Sequence, residues 1–244
     1  MKITKEPRNF FVASFWGAIT IAITGWLWPK TIPFRAFDLW TQHGSLVDGL
    51  FSARFFLAWG AGFTLFVEVL EMLRALKSSS GFTRRVAFYE PSAGTILGHG
   101  LVTSLFAGIF EEIGFRWLIF LSSIAWTKVT NWIFFGFLGF GIPEWLFVHV
   151  FGPLANWTTL GYLQPQLLGG DWAIGAAMLA SNAFFRDGHR YQGWFGTINA
   201  WFAGMFLFWM TFHHGLFAAI VVHFAYDAII DVLRALGRKL RGRS

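Results

Sequence analysis

The 244-residue chain contains no cysteine, so it offers no disulfide framework and no thiolate nucleophile or metal ligand. It is also poor in charge. Asp, Glu, Lys and Arg make up 13% of the residues, where soluble domains carry about 25%. A water-soluble fold of this length cannot cover its surface with so few ionised groups, which excludes an ordinary cytosolic enzyme and a disordered chain. The net charge of +6 would suit nucleic acid. The Lys and Arg, however, cluster at the termini and in connecting segments, the positive-inside distribution of a membrane protein, and this excludes a nucleic-acid-binding module. What is abundant is apolar: 55% hydrophobic residues, 31 Phe, 14 Trp and a mean hydropathy of +0.53. The lipid bilayer is the partner of this surface, and the chain reads as an integral membrane protein.

A crossing helix needs roughly 20 mostly apolar residues. Candidate spans are Phe10–Trp28, Phe55–Leu73, the long stretch Gly94–Trp126, Trp132–Phe151, the short Trp172–Phe185, Trp194–Phe212 and Gly215–Leu236. Gly94–Trp126 is too long for one ordinary crossing and carries Glu111, Glu112 and Arg116 near its middle. Basic residues at the N-terminus (Lys2, Lys5, Arg8), in the connector Arg74–Arg85 and in the tail Arg234–Arg243 place both termini in the cytoplasm. An even number of crossings follows. Counting the long stretch as two gives an all-α, polytopic membrane helix bundle of about eight transmembrane helices. With no internal repeat and no second domain, residues 1–244 read as a single membrane domain: N-terminal spans and a basic loop over 1–93, a helical core over 94–236 and a basic tail over 237–244.

An ionisable side chain inside a span costs at least ~2.5–3.5 kcal/mol at mid-bilayer, so the few that occur there are functional candidates. On an α-helix Glu112 and Arg116 are four apart and face each other in the favourable order. Glu111 is rotated about 100° away and is left over as a general base. This makes Glu112 and Arg116 a neutralised structural pair. His223 and Asp227 share one face of the last span, where a carboxylate can fix an imidazole tautomer or both can bind a water or a metal. His189 follows a short apolar segment, and His149 is a spare ligand candidate.

One free Glu and several His within a membrane are the parts of a water-activating hydrolytic site. Other intramembrane protease signatures fail: there is no His-Glu-x-x-His, no Gly-x-Gly-Asp beside a second intramembrane Asp, and no Gly-x-Ser in a span with a partner His. The chain does carry Glu111-Glu112-x-x-x-Arg116, then Phe185-x-x-x-His189, then His223-x-x-x-Asp227. In these motifs and their order it resembles the CPBP intramembrane proteases, a family covering CAAX prenyl endopeptidases and bacterial Abi-type, Rce1-like proteins. The resemblance covers roughly Gly94 to Asp227.

The resemblance implies an intramembrane endopeptidase acting on a membrane-associated or prenylated protein or peptide, in a bacterial inner membrane. It casts Glu111 as the base on water, His189 as its partner, and His223 with Asp227 as the group that binds metal or stabilises the oxyanion. Glu111, His189, His223 and Asp227 are then also the candidate ligands should zinc be the cofactor, although the same groups can activate water directly. Where the family usually has small apolar residues before the second-motif His, this chain has Arg186-Asp187-Gly188. Those charges would hydrate the site or move His189 toward the membrane surface, with His149 in the long insert Thr127–Asp171 as a competitor for its role. The alternative reading is a non-proteolytic scaffold, immunity factor or transporter on the same fold. The sequence leaves the oligomeric state and the substrate open.

Overall fold

The computed structural model describes residues 6–35, 37–77 and 93–240, and among these it is helical, with no strand. Lys2, Lys5, Arg84, Arg85, Arg241 and Arg243, among the basic residues that set the expected orientation, lie outside the described residues. Two compact units are present, Met1–Gly44 with Phe110–Ala219, and Ser45–Ile109 with Ile220–Ser244.

In the first unit, α1 (Glu6–Leu27) lies along a π-helical segment (Glu112–Ile119) and the helix α5 (Phe120–Ile133) that continues it. Glycine permits the approach: a Cβ at Gly17 would stand 3.0 Å from the Leu118 carbonyl oxygen, and one at Gly114 would collide with the Phe10 ring. Helix α9 (Trp172–Gly188) packs between α5 and α10 (Gly193–His214). It starts where Asp171 caps it, the carboxylate accepting a bond from the Ala173 amide at 3.0 Å. Ala173, Ala177 and Met178 of α9 meet Phe120, Leu121 and Ile124 of α5 and Met205 and Phe208 of α10 in one buried cluster. Small residues on α9 let the backbones close, the usual device where lipid offers no hydrophobic drive between helices.

Between α5 and α9 the chain does not form the span expected over Trp132–Phe151. Helix α5 ends at Ile133, turns follow, and Phe135 (φ 69°) and Gly139 (φ 80°) take the left-handed conformation that no helix tolerates. A helical run then follows over residues 142–158, α6 (Ile142–Leu146) passing through a second π segment (Phe147–Phe151) into α7 (Gly152–Thr158), and after turns comes the four-residue α8 (Gln164–Leu167).

In the second unit, α2 (Leu46–Ser52) opens with a capping box between Ser45 and Asp48 and leads to α3 (Arg54–Lys77). The unit also holds Ala93–Ile109 of α4 (Ala93–Glu111) and the part of α11 (Leu216–Leu240) from Ile220 onward. The Tyr226 ring stacks on Phe56 at 4.5 Å and lies over Gly60, where any side chain would collide with it. The buried Ser104 hydroxyl donates to Asp231 at 2.8 Å, joining α4 to α11.

Three described helical segments are long and apolar enough to cross a membrane: Phe10–Leu27, Arg190–His214 and Leu216–Leu240. A fourth is reached if α2 and α3, bent by 52°, count as one. The coarse expectation of a polytopic helical bundle holds, whereas the count of about eight is not reached among the described residues. Two causes stand out. The helical backbone runs from Ala93 to Ile133 without the break that two crossings require, and Trp132–Phe151 is interrupted by the turns between Ile133 and Ile142.

Candidate active site

Helix α4 becomes π-helical at Glu112, directly after Glu111. A π segment holds one residue more per turn than the α-helical wheel assumes, and such segments recur at functional sites. Within it Glu112 and Arg116 are both fully buried and form an ion pair, Arg116 Nε to Glu112 Oε2 at 3.2 Å. The Arg116 guanidinium also lies over the Phe185 ring, 4.2 Å from its centroid, and donates from Nη2 to the Gly204 carbonyl at 3.4 Å. A buried pair of this kind is neutral overall and is held by ring and backbone contacts on several sides.

Glu111 reaches Arg116 only through its charge, the contact ion pair being that with Glu112. Its Oε2 is buried and accepts no hydrogen bond from any protein group, and it stands 4.0 Å from His189 Nε2. His189 caps the C-terminus of α9, and its Nδ1 lies 2.8 Å from the Phe185 carbonyl oxygen one turn back. A carbonyl only accepts, so Nδ1 carries the proton and donates. The neutral ring then presents the Nε2 lone pair toward Glu111. The helix end has an unsatisfied carbonyl to offer at that position, which is why the tautomer follows from the fold.

Phe185 therefore joins two motifs, its ring under Arg116 and its carbonyl on His189. Sequence reasoning gave it no role, although Ser181, Phe185 and His189 repeat at intervals of four on one face of α9. Ser181 donates to the Phe115 carbonyl at 2.5 Å, and Asn182 Nδ2 donates to the Trp201 carbonyl at 3.0 Å. These bonds lock α9 to the π segment and to α10. A Cβ at Gly204 would collide with Asn182 Oδ1, so glycine is required there for Asn182 to sit against α10.

The charges Arg186 and Asp187 do not displace His189. Asp187 Oδ1 accepts from Arg186 (Nε 2.8 Å, Nη2 2.7 Å) and from Arg190 Nη2 at 3.2 Å, so the insertion is satisfied among its own residues. His149 lies exposed in the second π segment, its ring 5.1 Å from that of Trp145, and it is His189 that reaches Glu111. In the second unit the buried His223 stands with Nε2 3.5 Å from Asp227 Oδ2, one turn along α11.

A cavity of about 570 Å³ in the first unit, lined by Tyr162, Gln164, Trp209 and His213, is separate from Glu111 and His189 and plays no part in this site. Among the described residues no group of three or more His, Asp or Glu side chains comes together as a metal-ligand set. Glu111 and His189 supply two donors, one fewer than the three protein ligands of a catalytic zinc.

A family model described as type II CAAX prenyl endopeptidase Rce1-like matches residues 93–229, more than half of the 244-residue chain and a range that contains all three motifs. No curated protein and no solved structure matches the chain. With the motifs, the apolar helices and this match in agreement, the chain belongs to the Rce1-like family of type II CAAX prenyl endopeptidases and is an integral membrane protein.

Proposed function

We propose that the protein is an intramembrane endopeptidase that hydrolyses a peptide bond of a membrane-associated, prenylated protein or peptide with water activated by Glu111 and His189. The observation that carries this reading is the facing pair of acceptors, Glu111 Oε2 and His189 Nε2, 4.0 Å apart with the His proton held away on Nδ1. A water seated between two acceptors at that separation donates one proton to each. Glu111 takes a proton as the water oxygen attacks the scissile carbonyl, and returns it to the leaving amine, so that hydroxyl goes to the new acid and hydrogen to the new amine. The contact of Arg116 with Glu112 leaves the Glu111 carboxylate without an ion pair at contact distance from the arginine.

His223, oriented by Asp227, is assigned the role that the family pattern gives it, polarising the carbonyl as negative charge develops. The family description supports the prenylated substrate class. For orientation, the basic N-terminus and the tail favour cytoplasmic ends, in a bacterial inner membrane. Phe10, near the start of α1, packs on Phe115 at 5.1 Å, which supports a reading with Glu111 toward the N-terminal end of α1 and, with cytoplasmic termini, toward the cytoplasm.

Cleavage of a farnesylated peptide ending in a CAAX sequence, by protein in liposomes, tests the reading. Wild type releases the terminal tripeptide, and Glu111→Gln, with unchanged helicity and Tm, releases none. Equal cleavage by both would remove Glu111 as the base. No cleavage by wild type of any prenylated or membrane peptide would favour a non-proteolytic role on the same fold.

A further inference from the structure

Residues 134–171 connect α5 to α9 within the first unit, with Phe147, Ala155, Leu163 and Leu167 in its core, and the two ends of the segment meet at one point. Lys128, on the last turns of α5, pairs with Asp171, the cap of α9, at 2.5 Å, and donates to the Thr31 carbonyl at 2.9 Å. Thr31 lies four residues beyond Leu27, where the candidate span Phe10–Leu27 ends. The root of the excursion therefore sits at the membrane surface reached by the C-terminus of α1. An excursion rooted at one surface crosses the bilayer an even number of times or not at all.

The return leg decides between these. Over Thr159–Gly170 the only helix is the four-residue α8, and Leu160 (φ 53°) and Gly161 (φ 77°) are left-handed. Successive turn bonds, from the Tyr162 amide to the Thr159 carbonyl through the Leu168 amide to the Gln164 carbonyl, keep this leg compact. The Tyr162 ring lies 6.3 Å from Trp209 near the C-terminus of α10, while Phe147 lies 6.3 Å from Trp172 at the start of α9, so the segment stays at this end of the helices and this leg does not cross. The outgoing leg then does not cross either.

Water is no better a surrounding for this segment. It contains no Lys or Arg and two acids. Asp171 is held by Lys128, and Glu144 accepts from Asn131 Nδ2 at 3.1 Å. Phe137, Leu138, Phe140, Trp157, Leu160 and Tyr162 are each at least 55% exposed, a large apolar surface with no charged rim. Trp and Tyr on a helix and turns that carry no Lys or Arg match the headgroup–acyl boundary, where rings bury their apolar bodies and keep N–H and O–H wet.

We propose that residues 134–168 form a platform lying in the plane of the bilayer interface, at the end of α9 opposite to Glu111 and His189, with its exposed aromatic and leucine side chains immersed in lipid. The partner of this surface is the bilayer itself. The inference rests on the membrane location and not on the catalytic reading.

The absence of cysteine makes the test direct, because single-cysteine variants need no background removal. Spin labels at Phe137→Cys, Leu138→Cys and Leu160→Cys are read in liposomes by collision with oxygen and with a water-soluble nickel chelate. Ala18→Cys in α1 serves as a mid-span reference and Lys30→Cys as a surface reference. The platform labels are expected to favour oxygen over nickel several-fold more than Lys30→Cys does, at depths of about 5–10 Å below the headgroups. Nickel access equal to that at Lys30, or a depth equal to that at Ala18, overturns the proposal. So does spin–spin broadening that vanishes on dilution with unlabelled protein, which would mean that a second copy covers the surface.

Native protein gives a second measurement that no labelled variant can spoil. The fluorescence lost in Trp157→Phe is expected to be quenched more by lipids brominated near the headgroup than by lipids brominated near the chain end. The reverse order, or no quenching, counts against the platform.

Discussion

His189 turns its Nε2 toward Glu111 Oε2 because its Nδ1 is committed to the Phe185 carbonyl at the end of α9. Tautomer and direction are thus set by a helix cap. The substitution His189→Asn separates cap from chemistry, since the Asn amide donates to the same carbonyl but has nothing at the Nε2 position. Unchanged Tm is expected with at least about 100-fold slower cleavage, the lower range for loss of a proton-transfer partner. Retained activity in a folded His189→Asn variant would assign His189 to capping alone.

Glu112 and Arg116 are a stability prediction. Each is fully buried against the other at 3.2 Å, and removing one partner strands a charge at a cost of about 3–5 kcal/mol. Glu112→Ala and Arg116→Ala should each lower Tm sharply in detergent, and the double variant should lose less than the sum. Additive losses would show that the pair is not coupled.

Gly204 and Asn182 form a steric pair. Gly204→Ala drives a Cβ into Asn182 Oδ1 and should cost about 1–3 kcal/mol, the range for overpacking. Adding Asn182→Ala should recover part of that loss, although the bond from Asn182 to the Trp201 carbonyl goes with it. Thermal melts of the two single variants and the double decide the matter.

Metal dependence can be read without assuming the answer. With two donors at Glu111 and His189, cleavage is expected to persist after exhaustive chelation. Activity lost on chelation and restored by zinc, with zinc bound to wild type but not to Glu111→Ala, would instead make Glu111 a ligand.

The local chemistry was legible where it depends on spacing. Four-residue intervals placed Glu112 beside Arg116 and His223 beside Asp227 before any coordinates, because both α and π turns bring such neighbours together. What spacing does not carry is backbone register. Nothing in Glu112–Ile119 marks it as π-helical, a state fixed by hydrogen-bond choice against α1 and α9. The missed end of α5 is different. Gly136, Gly139, Gly141 and Pro143 interrupt Trp132–Phe151 in plain view, but a count of apolar residues outweighed them. The partners of Asp187 were equally out of reach of a composition argument, which sees charge without seeing that Arg190 lies one turn on.

Helix α9 has 17 residues and, at 1.5 Å per residue, is about 25 Å long. One end is tied at Asp171 to the membrane surface that α1 reaches, and the other carries His189. On the proposed placement of the Asp171 end at the membrane surface, the depth of the Glu111–His189 pair below the far surface becomes the local bilayer thickness minus a fixed length. In a hydrocarbon core of about 30 Å the pair sits a few ångströms beneath the headgroups, within reach of water but not bathed in it. Thicker lipid would draw the pair deeper and starve it of water, and thinner lipid would flood it. On the proposed function, the lipid would then be a control on the reaction, acting through a helix that serves as a measuring rod.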